Sequence, residues 1–158
     1  MLFKIFPAPY EMSHASLDKL EELIRSTGFY KNKALSLLDV SKTIVAKYNG
    51  KVPDNLENLI SLRGVGRKTA NVVLGNAFQI PGIVVDTHVG RLVRRMGFTK
   101  NTDPVKTEFD LMKIVSQKKW TAFSHLLIAH GRAVCGAARA YCECCPMSKF
   151  CKKVGLRS

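Results

Sequence analysis

Leu62-Arg63-Gly64-Val65-Gly66-Arg67-Lys68-Thr69-Ala70 joins two stretches of helical periodicity through a pair of glycines at alternate positions. Glycine has no Cβ, so the backbone turns sharply there and presents its N–H groups unobstructed. The positive end of the following helix backs those N–H groups and makes an anion site. Arg67 and Lys68 add formal charge. Gly64, Val65, Gly66 and Arg67 are therefore candidates for gripping a phosphate without reading sequence. The same spacing also serves an ordinary corner between two helices, and the charge of the chain favours the phosphate. A Walker A loop is excluded, because G-x-x-x-x-G-K-[ST] is absent.

Outward from this turn the pattern is helical nearly throughout. Leu17, Leu20, Leu23 and Ile24 follow Ser16, a good N-cap, and Gly28 ends that helix. A second helix is predicted from about Asn32 to Lys47, closed by Asn49-Gly50, and Pro53-Asp54 opens a short third one. After the turn, helices are predicted over 67–78, 86–96, 104–115 and 120–134, with Asp86 or Thr87, then Asp103-Pro104, at their starts. No strand pattern or repeat is present, so the fold class is all-α. Pro81-Gly82 is the expected boundary between two helical lobes, 1–80 and 81–158, each near the lower size limit for an independent core.

The chain has 158 residues, 46% of them hydrophobic, which is enough for a core and excludes a wholly disordered chain. Its formal charge of +13 calls for a polyanionic partner, and nucleic-acid phosphates are the usual one. No apolar run approaches the roughly 20 residues needed to cross a bilayer. The start, MLFKIFPAPYEM, is short, carries two prolines and lacks a small-residue cleavage site, so no secretory signal is read there.

All five cysteines lie at or beyond position 135. Their clustering speaks for metal rather than for disulfides between distant segments, and for a reducing compartment. Cys135-x6-Cys142-x2-Cys145-x5-Cys151 supplies four thiolates to one soft centre, a [4Fe–4S] cluster or tetrahedral zinc. A single C-x-x-C pair weakens zinc, and Cys144 is a spare thiol. Lys149, Lys152, Lys153, Arg132 and Arg139 flank the cysteine site in sequence, as a DNA-facing surface or a solvated shell.

The glycine turn, the segment Val85-Asp86-Thr87-His88-Val89 and the cysteine spacing together resemble the helix-hairpin-helix DNA glycosylases, within them the endonuclease III branch. The likeness runs from about Phe6 to Cys151. It implies two helical lobes with a DNA-binding cleft, a [4Fe–4S] cluster on the four spaced cysteines, and double-stranded DNA with damaged bases or abasic sites as partner. It further implies Lys68 as nucleophile and Asp86 as the second catalytic residue. The damaged nucleotide is flipped out of the stack. The Lys68 amine attacks C1′, a Schiff base forms, and β-elimination cuts the strand on the 3′ side. Asp86 stabilises positive charge on the sugar or deprotonates the amine. Asp86 also reads as an N-cap and Lys68 as a plain phosphate contact; the resemblance favours catalysis for both.

Gly28-Phe29-Tyr30-Lys31 resembles the family's loop that fills the gap left by a flipped base, with Phe29 as the wedge or, alternatively, a core or capping contact. His88 is expected on a phosphate or the opposite strand, whereas His125 and His130 read as structural. Arg63 stands where the family usually has proline. The chain also starts near the end of the family's pocket-lining N-terminal segment, so N-terminal helices are expected to be missing. A DNA-binding iron–sulfur module inactive through truncation, and a monofunctional mismatch glycosylase, are the alternatives, Lys68 arguing against the latter. A monomer in a bacterial or archaeal cytoplasm is expected.

Overall fold

Local capping signals in the sequence set several of the helix boundaries. The computed structural model describes residues 1–156, and among them the regular structure is helical apart from an isolated antiparallel bridge between Cys135 and Ala140. The helices are α1 (Leu2–Ile5), α2 (Pro9–Ser13), α3 (Leu17–Ile24), α4 (Tyr30–Tyr48), α5 (Leu56–Ile60), α6 (Arg67–Ala77), α7 (Thr87–Met96), α8 (Pro104–Ile114) and α9 (Trp120–Ala133), the last preceded by a 3-10 turn at Gln117–Lys119. The chain divides into two compact units, Met1–Ala70 and Asn71 onward, a division that falls within α6 and ahead of Pro81-Gly82. Of the lobe expected over 81–158, residues 157 and 158 lie outside the described residues.

In the first unit, α2 and α3 pack on α4. Met12, Leu20, Ile24 and Ala34 form the buried cluster where they meet. Ser16 caps α3 as its sequence predicts, its Oγ accepting from the Lys19 N–H at 3.3 Å. Asn49 ends α4 in the left-handed region, φ 51°, and Gly50 follows at φ 76°. The cap of α5 is Asn55 rather than Pro53-Asp54, its Oδ1 accepting from the Asn58 N–H at 2.9 Å. The two helices before Ser16 have four and five residues, too short to show a period, and carry the sequence signal of Pro9 at a first helical position only.

The second unit has its core on one face of α7. Val89, Leu92, Val93 and Met96 recur at helical spacing and pack with Ile83, Val85, Leu111 and Leu127. Asp86 caps α7 and Gly97, φ 79°, ends it. Asp103 caps α8, with Pro104 at its first position as expected. Asp110 on α8 accepts from the Thr99 hydroxyl at 2.5 Å and the Asn101 amide at 2.6 Å. These bonds, chiefly the one from Thr99, hold its carboxyl below the ordinary carboxylate range, and Lys113 assists.

Gly64 sits at φ +75°, and a Cβ there would lie 2.8 Å from Ser36 Oγ; at Gly66 nothing lies within 4 Å. Gly64→Ala should cost about 1–3 kcal/mol in urea unfolding and Gly66→Ala less than about 1 kcal/mol. Because the folded state lowers the Asp110 pKa, the unfolded chain binds more protons there. This contribution is complete above the ordinary carboxylate pKa, about 3.9, and is lost as pH falls through the folded value. Asp110→Asn should flatten that part of the acid unfolding curve.

Candidate functional site

The glycine turn lies in the first unit between α5 and α6. Its backbone closes through the Val65 N–H to Leu62 O at 3.1 Å, and the Ala70 N–H returns to Gly66 O at 3.0 Å to start α6. The N–H groups opening α6 therefore stand at a helix N-terminus, where orphan donors and the dipole favour anions. Gly64, Gly66 and Lys68 are exposed, and Val65 and Arg67 half-buried. Arg63, in place of the family's proline, is engaged: its Nη1 lies 2.5 Å from Asp39 Oδ2 on α4. This ion pair anchors the turn to the longest helix of the unit and neutralises the charge that Arg63 adds.

Across a groove of about 440 Å³ from Gly64 and Val65 stands the loop that carries Phe29. Ile24, Leu37 and Val40 supply the apolar part of the groove's lining. Phe29 is 86% exposed, so the reading of it as a core contact is not met. It occupies the N-cap position of α4 at φ 56°, a region unfavourable for a bulky residue.

In the second unit the chain enters α7 through an extended, buried segment at 82–85. Asp86 follows at the protein surface, half-buried, with Oδ1 accepting from the Val89 N–H at 2.8 Å. The capping bond fixes the orientation of the carboxylate and leaves its other oxygen available. His88 is held by structure: its Nδ1 is 3.2 Å from Arg91 Nη2, and it packs so closely on α9 that a Cβ at Gly131 would lie 3.0 Å from its ring. His125 pairs with Asn76 Oδ1 at 3.2 Å.

The tail beyond α9 buries none of its described residues, and polar ties hold it to α7. Arg91 donates to Cys135 O at 2.9 Å and Gly131 O at 3.2 Å. Arg95 donates to Gly136 O at 2.7 Å and to the Cys135 thiol sulfur at 3.1 Å. Composition pointed to other basic residues around this loop; Arg91 and Arg95, one turn apart, do the holding, and no local signal marks them. Of the flanking set, Arg139 stacks over the Tyr141 ring at 4.9 Å.

Cys135, Cys142, Cys145 and Cys151 all line one cavity, walled on its apolar side by Leu92, Met96, Val134 and Met147. Cys144 points elsewhere, exposed, with its thiol on Tyr141 O at 3.5 Å. The Lys153 N–H donates to Cys151 Sγ at 3.4 Å, and His130 Nε2 lies 3.5 Å from Cys145 Sγ. Donors aimed at sulfur suit thiolates, the form that binds metal. Four thiol groups lining one cavity are a donor set suited to a soft metal centre, either an iron–sulfur cluster or zinc.

Residues 1–117 match the family described as HhH-GPD superfamily base excision DNA repair protein. The chain is 46% identical over 151 residues to endonuclease III of Synechocystis sp., covering 95% of this chain and 69% of that protein. It is 38% identical to endonuclease III of Thermotoga maritima, covering 96% and 71%. Among solved structures, a trapped endonuclease III–DNA covalent intermediate superposes with a TM-score of 0.92 at 40% identity, over 96% of this chain and 72% of that one. A thermostable thymine-DNA glycosylase shares the fold, with a TM-score of 0.87 at 22% identity. The all-α fold, the glycine turn and these likenesses agree: the chain belongs to the endonuclease III family, within the HhH-GPD superfamily of base excision DNA repair proteins.

Proposed function

We propose that this chain excises oxidised or ring-saturated pyrimidines and then cuts the strand through a Schiff base on Lys68, with Asp86 as the second catalytic residue and a [4Fe–4S] cluster on Cys135, Cys142, Cys145 and Cys151. As a member of the endonuclease III family it is a DNA glycosylase and abasic-site lyase acting on damaged double-stranded DNA. The observation that carries the residue assignment is the exposed Lys68 in the first turn of α6, directly behind the glycine turn. A phosphate held by the turn's N–H groups brings the adjoining sugar to the level of that amine.

The free Lys68 amine attacks C1′ of the extruded nucleotide. The glycosidic bond breaks and the base leaves with its electron pair, taking up a proton. A proton passes from the amine to the ring oxygen, the C1′–O4′ bond breaks with its electron pair going to that oxygen, and a protonated Schiff base between Nζ and C1′ results. That cation acidifies the C2′ hydrogen; its removal expels the 3′ phosphate ester, and water then releases the lysine. Positive charge develops on the sugar in the first step, and the fixed Asp86 carboxylate stabilises it. Phe29, exposed at its loop tip, fills the space vacated in the stack. His88, placed through Arg91, contacts a phosphate or the opposite strand.

The cysteine loop would hold its cluster through four iron–thiolate bonds, which cross-link a tail that lacks an apolar core. Arg95, the Lys153 N–H and His130 stand ready to stabilise the thiolate charge.

Borohydride reduction on a duplex with one abasic site should trap a covalent adduct, absent in Lys68→Ala. Absence of an adduct from wild-type protein that binds DNA and retains iron would leave a binding module. Asp86→Asn keeps a capping side chain and should slow base release about a hundredfold or more with DNA affinity little changed. Cys142→Ala should lose iron and visible absorbance, whereas Cys144→Ala should retain both; equal loss in the two variants would sink the ligand assignment.

A further inference from the structure

The approach to Asp86 contains a feature that its capping role leaves unexplained. Residues 82–85 are buried but belong to no helix or strand, so their peptide groups need partners from elsewhere. The peptide linking Ile83 to Val84 is held from both sides. Its oxygen accepts from Asn71 Nδ2 on α6 at 3.0 Å, and its N–H donates to Ser124 Oγ on α9 at 2.9 Å. Asn71 is 5% exposed and Ser124 1%.

Both clamping side chains are themselves fixed. Asn71 Nδ2 also reaches Glu108 Oε1 on α8 at 3.1 Å, and the Ser124 hydroxyl donates to Trp120 O at 3.0 Å. Gly82 leaves room for the asparagine, since a Cβ there would lie 3.0 Å from Asn71 Oδ1. A rotation of this peptide would break two buried hydrogen bonds at once and leave the Ile83 carbonyl and the Val84 N–H without partners. Asp86 begins two residues later, with Ile83 and Val85 seated in the core on either side of the clamped group.

We propose that Asn71 and Ser124 are positioning residues: they lock the Ile83–Val84 peptide, and through it the register at which the Asp86 carboxylate meets the sugar. This rests on the assignment of Asp86 above. Positional precision of this kind shows in the chemical step, because a carboxylate displaced by a fraction of an ångström stabilises the developing charge less. It does not show in affinity, which phosphate contacts dominate.

The test is a double-mutant cycle on the iron-loaded chain. The readouts are single-turnover base release from a duplex with one ring-saturated thymine and equilibrium binding to the same duplex. Ser124→Ala should slow base release about tenfold and leave the dissociation constant unchanged. In an Asp86→Asn background the same substitution should have no further effect on the rate, because it acts through the missing carboxylate. Gly82→Ala, which pushes the Asn71 amide aside without deleting a polar group, should behave likewise and decides the matter alone if Ser124→Ala does not fold. Equal slowing in both backgrounds, a matching loss of DNA binding, or no slowing by either variant would overturn the clamp while leaving Asp86 in place. A normal rate in Asp86→Asn alone would remove the catalytic assignment and the clamp together.

Discussion

The tail from Cys135 onward depends on two guanidinium groups. None of its described residues is fully buried, and Cys135 and Cys151 pack only partly buried against the core of the unit, so hydrophobic burial, the main favourable contribution in most of a folded chain, is small there. Arg91 and Arg95 add a set of directed bonds to Cys135, Gly136 and Ala137. These bonds come from one face of a helix whose other face is the core of the unit. The same helix begins at Asp86. Through α7, the ordering of the cysteine loop and the orientation of the candidate catalytic carboxylate become properties of one rigid element.

The first unit solves a different problem by similar means. A tight turn with exposed glycines is entropically costly to order, and the turn at 63–66 gains a tether from the Arg63–Asp39 ion pair. Both partners are partly exposed, so the pair contributes little to global stability. Its effect is local: it ties the turn to α4, at a site where Gly64 lies too near Ser36 to leave room for a Cβ. Proline would stiffen such a turn through its fixed φ; here an ion pair does so from outside the turn.

What was legible in the sequence were the interactions made within about four residues. Ser16, Asp86 and Asp103 announce helix starts because a capping oxygen bonds an N–H three positions on. Asn49 and Gly97 announce ends because few residues adopt the left-handed region cheaply. The cysteine loop was legible as a spacing, and all four spaced thiols do share one cavity while Cys144 stands apart. The residues that were not legible act across long separations. Arg91 meets Cys135, Asn71 meets Ile83 and Glu108, and Ser124 meets Val84. In sequence each is an unremarked polar side chain in a helix, and its partner is mostly a backbone atom, which leaves no pattern of residue types to find.

Phe29 carries a consequence of another kind. Holding an aromatic residue at φ 56° with its ring almost wholly in water works against folding on two counts, backbone strain and solvated apolar surface. A chain selected only to fold would have glycine or asparagine there. If Phe29 is the proposed wedge, replacing it by glycine would stabilise the free protein while weakening its hold on an opened duplex.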